Sequence, residues 1–425
     1  MPKRLFQVKE ATLPNGLQVR VVPDHDAPVV SVYTFFRAGS RNERPGITGI
    51  AHLFEHMMFN GAKKYGPKEF DRVLESKGGR SNAFTSTDST VYLDDFATEA
   101  LETVLDLESD RMRSLALAPK ILEGERQVVL EERRSRVDND IPGMMDEELS
   151  SLVFKAHPYR WPIIGWEKDI RNIRRADCLG FFRTYYAPNI ATLWICGDVD
   201  PMEALRLVRR YYGGIRRGPP PPPVPDAEPP QKGERRAVIH YPAQAPALMI
   251  SWRGPVARSP DALLLDVVQY VMGAGENSRL NRELVYRQRL ATSVGFDWGW
   301  RVDAGMLVVF AELQPQVDPA KAEAVIYREL EKLAKEGVGE RELTKAKNMI
   351  RAHQLRELAT NGGRALALGS YELLLGDWRE VERIAARYQQ ITAAQVQEVA
   401  RRYFEGDQRS AVTLLPKVVT EEVAA

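Results

Sequence analysis

The chain has 425 residues, 44% hydrophobic and 28% charged, which is too long for one ordinary core and too apolar for general disorder. Lys plus Arg number 59 against 58 for Asp plus Glu, a formal net charge of +1, so no overall field points to nucleic acid or to an anionic membrane. No run approaches the ~20 apolar residues of a spanning helix, and Cys178 and Cys196 form no CxxC, which excludes a zinc ribbon or redox pair and leaves small buried hydrophobes.

The chain opens with Lys3 and Arg4 and no apolar run behind them, so no signal peptide is visible. The expected location is cytoplasmic, or periplasmic for a trimmed chain. Residues 16–22 and 29–36 alternate as strands, and 46–59 reads as a mostly apolar helix closing near Asn60-Gly61. Helices are predicted over 99–112, 119–137 and 202–212, and a strand over 191–199 closes the first half. Gly218 then leads into Pro219 to Pro223 and on to Pro229-Pro230. Proline fixes φ and removes the amide donor, so this run predicts an extended spacer.

The second half repeats the order. A strand at 248–252 precedes a helix over 260–273, then helices over 319–335, 340–359 and 393–404, and a closing strand over 409–415. Laying Gly61 on Gly273 is an offset of 212, and it carries His52, Glu55 and His56 onto Leu264, Val267 and Val268. Together these patterns predict an α+β fold: two homologous sandwich domains of mixed, largely antiparallel sheet flanked by helices. The expected boundaries are 1–217 for a metal-binding domain, 218–236 for the Pro-rich linker and 237–425 for a homologous domain lacking the metal motif. No GxGxxG or GxxxxGK[ST] occurs.

Chemistry concentrates in His52-Leu53-Phe54-Glu55-His56. Spacing i, i+4 puts both imidazoles on one helix face, with Glu55 close enough to reach a metal-bound water. A lone buried histidine is ordinarily a hydrogen-bonded core residue. Two at ligand spacing around a carboxylate, set among Leu53, Phe54, Met57 and Met58, would cost several kcal/mol unless a cation satisfied them. A hydrolytic zinc site wants three protein ligands and an open position. The third should come from another helix, and Glu125 and Glu132 are candidates. They share a face but lie roughly 10 Å apart along the axis, so only one can be a ligand and the other could orient a histidine.

HxxEH followed 76 residues after His56 by Glu132 resembles the inverted-zincin metallopeptidases, the family of pitrilysin, insulin-degrading enzyme and the mitochondrial processing peptidase. The similarity extends to Asn82-Ala83-Phe84-Thr85-Ser86, like the family's substrate-pairing edge strand, and to His157-Pro158-Tyr159. It implies a short bipartite member with one zinc per chain held by His52, His56 and Glu132. Glu125 is then the acidic residue seven before the ligand and Glu55 the general base of a peptide hydrolase. Substrate contacts implied are Asn82, Ala83, Phe84 and Arg279.

The sequence departs from the family at Leu290-Ala291-Thr292-Ser293, where threonine stands at the position of a substrate-facing tyrosine. Some relatives divide the work between two chains. The expectation is therefore a dimer, plausibly the metal-bearing subunit of a heterodimer whose homologous partner supplies an Arg/Tyr pair, acting on unfolded peptides in a two-chain chamber. The alternative is a non-catalytic structural or peptide-binding subunit of the same fold. Arg133-Arg134-Ser135-Arg136 reads as a solvated helix face. His25, His157, His240 and His353 have no ligand-spaced partners, and Phe296, Trp298 and Trp300 read as strand packing.

Overall fold

The computed structural model describes residues 5–225 and 227–417, so Met1 to Arg4, Asp226 of the linker and Val418 to Ala425 lie outside the described residues. The first sheet contains β1 (Lys9–Thr12), β2 (Gln18–Pro23), β3 (Val29–Phe36), β4 (Arg80–Thr85), β5 (Thr90–Ala97) and β6 (Ala191–Gly197), in the order β1-β2-β6-β3-β5-β4. The second contains β7 (Arg235–Tyr241), β8 (Ala247–Arg253), β9 (Ala291–Gly299), β10 (Met306–Leu313) and β11 (Arg409–Pro416), in the order β7-β11-β8-β10-β9. Without β1, the orders superimpose strand for strand. In each sheet the last strand lies parallel to the first of the repeat, β6 on β2 and β11 on β7, and the other pairings are antiparallel. The fold is thus α+β with an internal duplication, and helices flank both sheets.

The compact units are interleaved in sequence and differ from the contiguous boundaries expected. The first contains residues 1–136, 161–225 and 355–382; the second contains 137–160, 226–354 and 383–425. Each sheet has one apolar face that must be covered, and the covering helix comes from the opposite half of the sequence. In the first unit, Ala365 and Leu368 of the helix Asn361–Leu375 pack with Tyr33, Phe35, Val91 and Trp194. In the second, Met145, Leu149 and Val153 of the helix Ile141–Val153 pack with Ala247, Met249, Val412 and Leu414. No composition shift marks either exchange, which is why the proline run was the visible boundary.

In the second unit the repeat's counterpart of the histidine helix is Asp261–Met272, where Val267 and Val268 are fully buried. Its half-buried acid, Asp266, accepts from Trp300 Nε1 (3.0 Å) and from the Tyr388 hydroxyl. Burial pushes the Asp266 carboxyl up to about 7.

Two outcomes follow. A Cβ on Gly369 would stand 2.3 Å from the Phe35 ring, so Gly369→Leu should destabilise the first unit by ~1–3 kcal/mol or more in urea unfolding. Asp266 binds its proton more tightly folded than unfolded, so its contribution is present near pH 4 and is lost as pH rises through about 7. The stability of wild type relative to Asp266→Asn should therefore fall between about pH 4 and about pH 7 and level off above; a pH-independent difference would contradict this.

Candidate metal centre

The segment 46–59 is helical only over Ile50–Met57. Its start is delayed because Gly46 and Gly49 hold φ of +94° and +88°, the left-handed region that favours glycine. A Cβ on Gly49 would lie 2.3 Å from the Ile164 carbonyl oxygen, and one on Gly165 2.5 Å from Gly49 Cα, so two backbones cross here in direct contact. Buried Glu43 accepts the Gly49 (2.9 Å) and Ala51 (2.8 Å) amides at the helix start. Burial raises the Glu43 carboxyl well above the usual range, against the pull of these two bonds. Asp169 takes the Thr48 hydroxyl (2.8 Å) and the Gly46 amide (2.9 Å), and Tyr92 donates to the Phe54 carbonyl (3.3 Å). Loop and helix are held at both ends.

The His52 and His56 rings face one ion-sized space, their centroids 4.9 Å apart. A second helix, Pro119–Arg133, delivers Glu132. Glu132 Oε2 lies 3.6 Å from His52 Nε2 and 3.2 Å from His56 Nε2. Ligands at ~2.1 Å around a tetrahedral ion stand about 3.4 Å apart, so these three atoms fit such an ion. The donor set, two imidazole nitrogens and a carboxylate oxygen, suits zinc. Glu125, about two turns earlier, lies 3.4 Å from His56 Nδ1, leaving Nε2 of that ring for the centre. Of the two acidic candidates, Glu132 meets both imidazoles and Glu125 stands behind one.

The electrostatics follow from burial. Desolvation lowers His52 to about 4, keeping its imidazole neutral, the form that ligates metals. Burial also opposes protonation of His56, but hydrogen bonds to Glu125 and Glu132 outweigh it and hold that ring at about 9. The His56 hydrogen bond in turn holds Glu132 below the usual carboxylate range. A metal ion bound here must displace the His56 proton. Burial raises Glu55, whose Oε2 accepts from Thr85 Oγ1 at 2.6 Å.

Thr85 ends β4, and β4 is an edge of its sheet. Asn82, Ala83 and Phe84 therefore lie on a strand with one pairing side open among the described residues. Asn82 Oδ1 accepts from the Ala83 amide (2.9 Å), and Phe84 is 36% exposed. Arg279 belongs to the second unit, is buried, and donates to Glu342 (2.8 and 3.1 Å) and to the Gly337 carbonyl (2.9 Å). Thr292 is an exposed residue of β9 bonded to the Glu312 carbonyl (3.3 Å).

The arginine run is also more than a solvated face. Arg133 is buried and donates to the Gly165 carbonyl at 2.8 Å, joining the second helix to the glycine crossing. Arg134 pairs with Glu131, and Arg136 lies 2.8 Å from Glu132 Oε1. The sequence gives no sign of Glu43, and it offers Thr85 only as part of an edge strand and Arg136 only as part of a basic run. Only Arg136, four residues after Glu132, carried a spacing signal. His157, which has no ligand-spaced partner in the sequence, is buried against Asp303 at 3.0 Å.

The family description "Insulinase (Peptidase family M16)" matches residues 19–166, the segment holding His52, Glu55, His56 and Glu132. The description "Peptidase M16 inactive domain" matches 172–350, which contains none of them. Zinc protease PqqE of Helicobacter pylori is 32% identical over 414 residues, covering 96% of this chain and 93% of that protein. The crystal structure of a protease from Helicobacter pylori matches with a TM-score of 0.94 at 31% identity, over 97% of this chain and all of that one. A probable mitochondrial-processing peptidase subunit beta of Arabidopsis thaliana is 24% identical, covering 93% of this chain and 76% of that protein. With its duplicated α+β units and an HxxEH helix meeting a distant glutamate, the chain belongs to the M16 peptidase family.

Proposed function

We propose that the chain is a zinc-dependent endopeptidase acting on unfolded peptides, with one ion held by His52, His56 and Glu132. The observation that carries this is the meeting of two imidazole Nε2 atoms and one carboxylate oxygen at 3.2 and 3.6 Å, with the half-buried carboxylate of Glu55 on the same helix as both histidines. Relatives named zinc proteases over nearly the whole chain support it. When bound, the ion lowers the pKa of water and polarises a peptide carbonyl.

Glu55 takes the proton of the attacking water and returns it to the leaving amine. The Thr85 hydroxyl holds Glu55 Oε2 and fixes the direction from which the proton is taken. Glu125 holds His56 through Nδ1. The open edge of β4 suits a peptide added as a further strand beside 82–84, through backbone groups that carry little sequence preference. That is why the substrate class is unfolded chain. Unfolded peptide also suits a chamber of two chains, with this one bearing the metal. Thr292 in place of a phenol, and likeness to a protein named as a processing-peptidase subunit, favour a homologous partner.

A binding-only subunit would have no use for Glu55, and the complete set argues for hydrolysis. Glu55→Gln should keep one zinc per chain while cleavage of a quenched unstructured peptide falls by ~10²–10⁴-fold. Residual turnover near wild type would remove Glu55 from the base role. Glu132→Ala should lose stoichiometric zinc, and Glu125→Gln should weaken zinc ~10–100-fold in chelator competition. Retention of zinc by Glu132→Ala would mean another third ligand.

A further inference from the structure

Withdrawal and return of a proton by Glu55 deals with the water, but it leaves a second charge to be met. As the water oxygen bonds to the peptide carbon, the carbonyl π pair moves onto the carbonyl oxygen, which becomes an oxyanion. It reverts to a carbonyl when the C–N bond breaks and the amine leaves with the proton from Glu55. Donors aimed at such an oxygen are among the largest contributors to catalysis.

Within the first unit, Arg136 brings a guanidinium to Glu132. Arg136 lies on the π-helical turn Arg134–Asp138 that extends the second helix, a distortion often found at functional sites. Its Nη1 is fixed 2.8 Å from Glu132 Oε1, the oxygen turned away from both imidazoles. Its side chain is nevertheless 74% exposed, so one end of the fork is anchored while most of the guanidinium faces solvent. The contact is with the carboxylate that also meets both imidazoles, so the guanidinium stands one residue away from the two histidines. The neighbouring arginines differ: Arg133 is buried on Gly165 and Arg134 pairs with Glu131. A guanidinium has five N–H donors in a planar fork, so a bond to Glu132 leaves others for an anion.

We propose that Arg136 is a catalytic residue, anchored on Glu132 Oε1, whose remaining N–H groups donate to the carbonyl oxygen of the scissile bond as it becomes negative. This rests on the peptidase reading and supplies, from the metal-bearing chain itself, an oxyanion donor. Holding Glu132 in place is the competing role, and the two separate experimentally.

The test uses the full chain at saturating zinc, with metal content checked for every variant. Both arms are measured on the non-cleaving Glu55→Gln background with two ligands of one sequence: an amide peptide and its phosphinic analogue, a tetrahedral anion. Adding R136A should weaken the phosphinic peptide about 100-fold and the amide peptide by less than about 3-fold, with R136K intermediate for the phosphinic ligand. On the Glu55-containing chain, R136A should lower kcat by the same ~100-fold with little change in KM, and free guanidinium should restore part of it. Equal losses for both ligands, no loss for either, or a defect cured by added zinc would overturn the proposal and leave Arg136 a positioning residue at most. Failure of the peptidase reading shows elsewhere, as absence of chelator-sensitive cleavage by the unmodified chain.

Discussion

The structure around the centre depends on keeping two imidazoles and three carboxylates out of water at once. His52, His56, Glu55, Glu125 and Glu132 come from two separate helices, and each is at least partly buried. Unpaired, such groups would cost several kcal/mol each. The cost is offset only if donor and acceptor atoms from the two helices meet within about a hydrogen bond's reach, as Glu132 does with both histidines. Positional error is therefore expensive, and much of the first unit fixes where these helices lie. Glu43 and Asp169 hold the approach to the first helix. Arg133 ties the second to the same glycine crossing.

That crossing explains why the motif begins with so many glycines. With Cβ atoms at 49 and 165, the strands of backbone on either side could not touch, and the first helix would be lifted from its seat. The chain between the ligand helix and Gly165 makes an excursion, residues 137–160, that belongs to the second compact unit, and it returns at 161 to close the crossing. Both ends of that excursion thus join residues of the first unit. Arg136, the last residue before it, stays with Glu132.

Legibility in the sequence followed the range of the interactions. His52, Glu55 and His56 could be read because a helix imposes its period on residues four apart, and Glu125 and Glu132 shared a face for the same reason. The choice between those two needed the resemblance, since which carboxylate meets an imidazole depends on how two helices cross. The strands and the duplication were visible in apolar alternation, yet the exchanged helices 141–153 and 361–375 were not, because an apolar stripe does not say which sheet it covers. The bond of Arg279 to Glu342, 63 residues further on, was out of reach for a related reason: a local motif does not say which distant carboxylate will meet its arginine.

The duplication also shows what the first copy gives up for chemistry. At the equivalent helix of the second unit, Val267 and Val268 replace Glu55 and His56 and are fully buried, so that helix is held by ordinary apolar packing. Replacing a buried ionic cluster with close-packed side chains is commonly neutral or stabilising. The second unit therefore does not need the carboxylate clamps that the first requires. Both sheets keep an open edge in the same topological place, β4 in one and β9 in the other. Only at β4 does the strand end on a residue, Thr85, that touches an ionisable group of a metal-competent centre. What separates the two copies is thus a helix face of four or five side chains beside a shared edge-strand frame, which is why fold and chemistry could diverge within one chain.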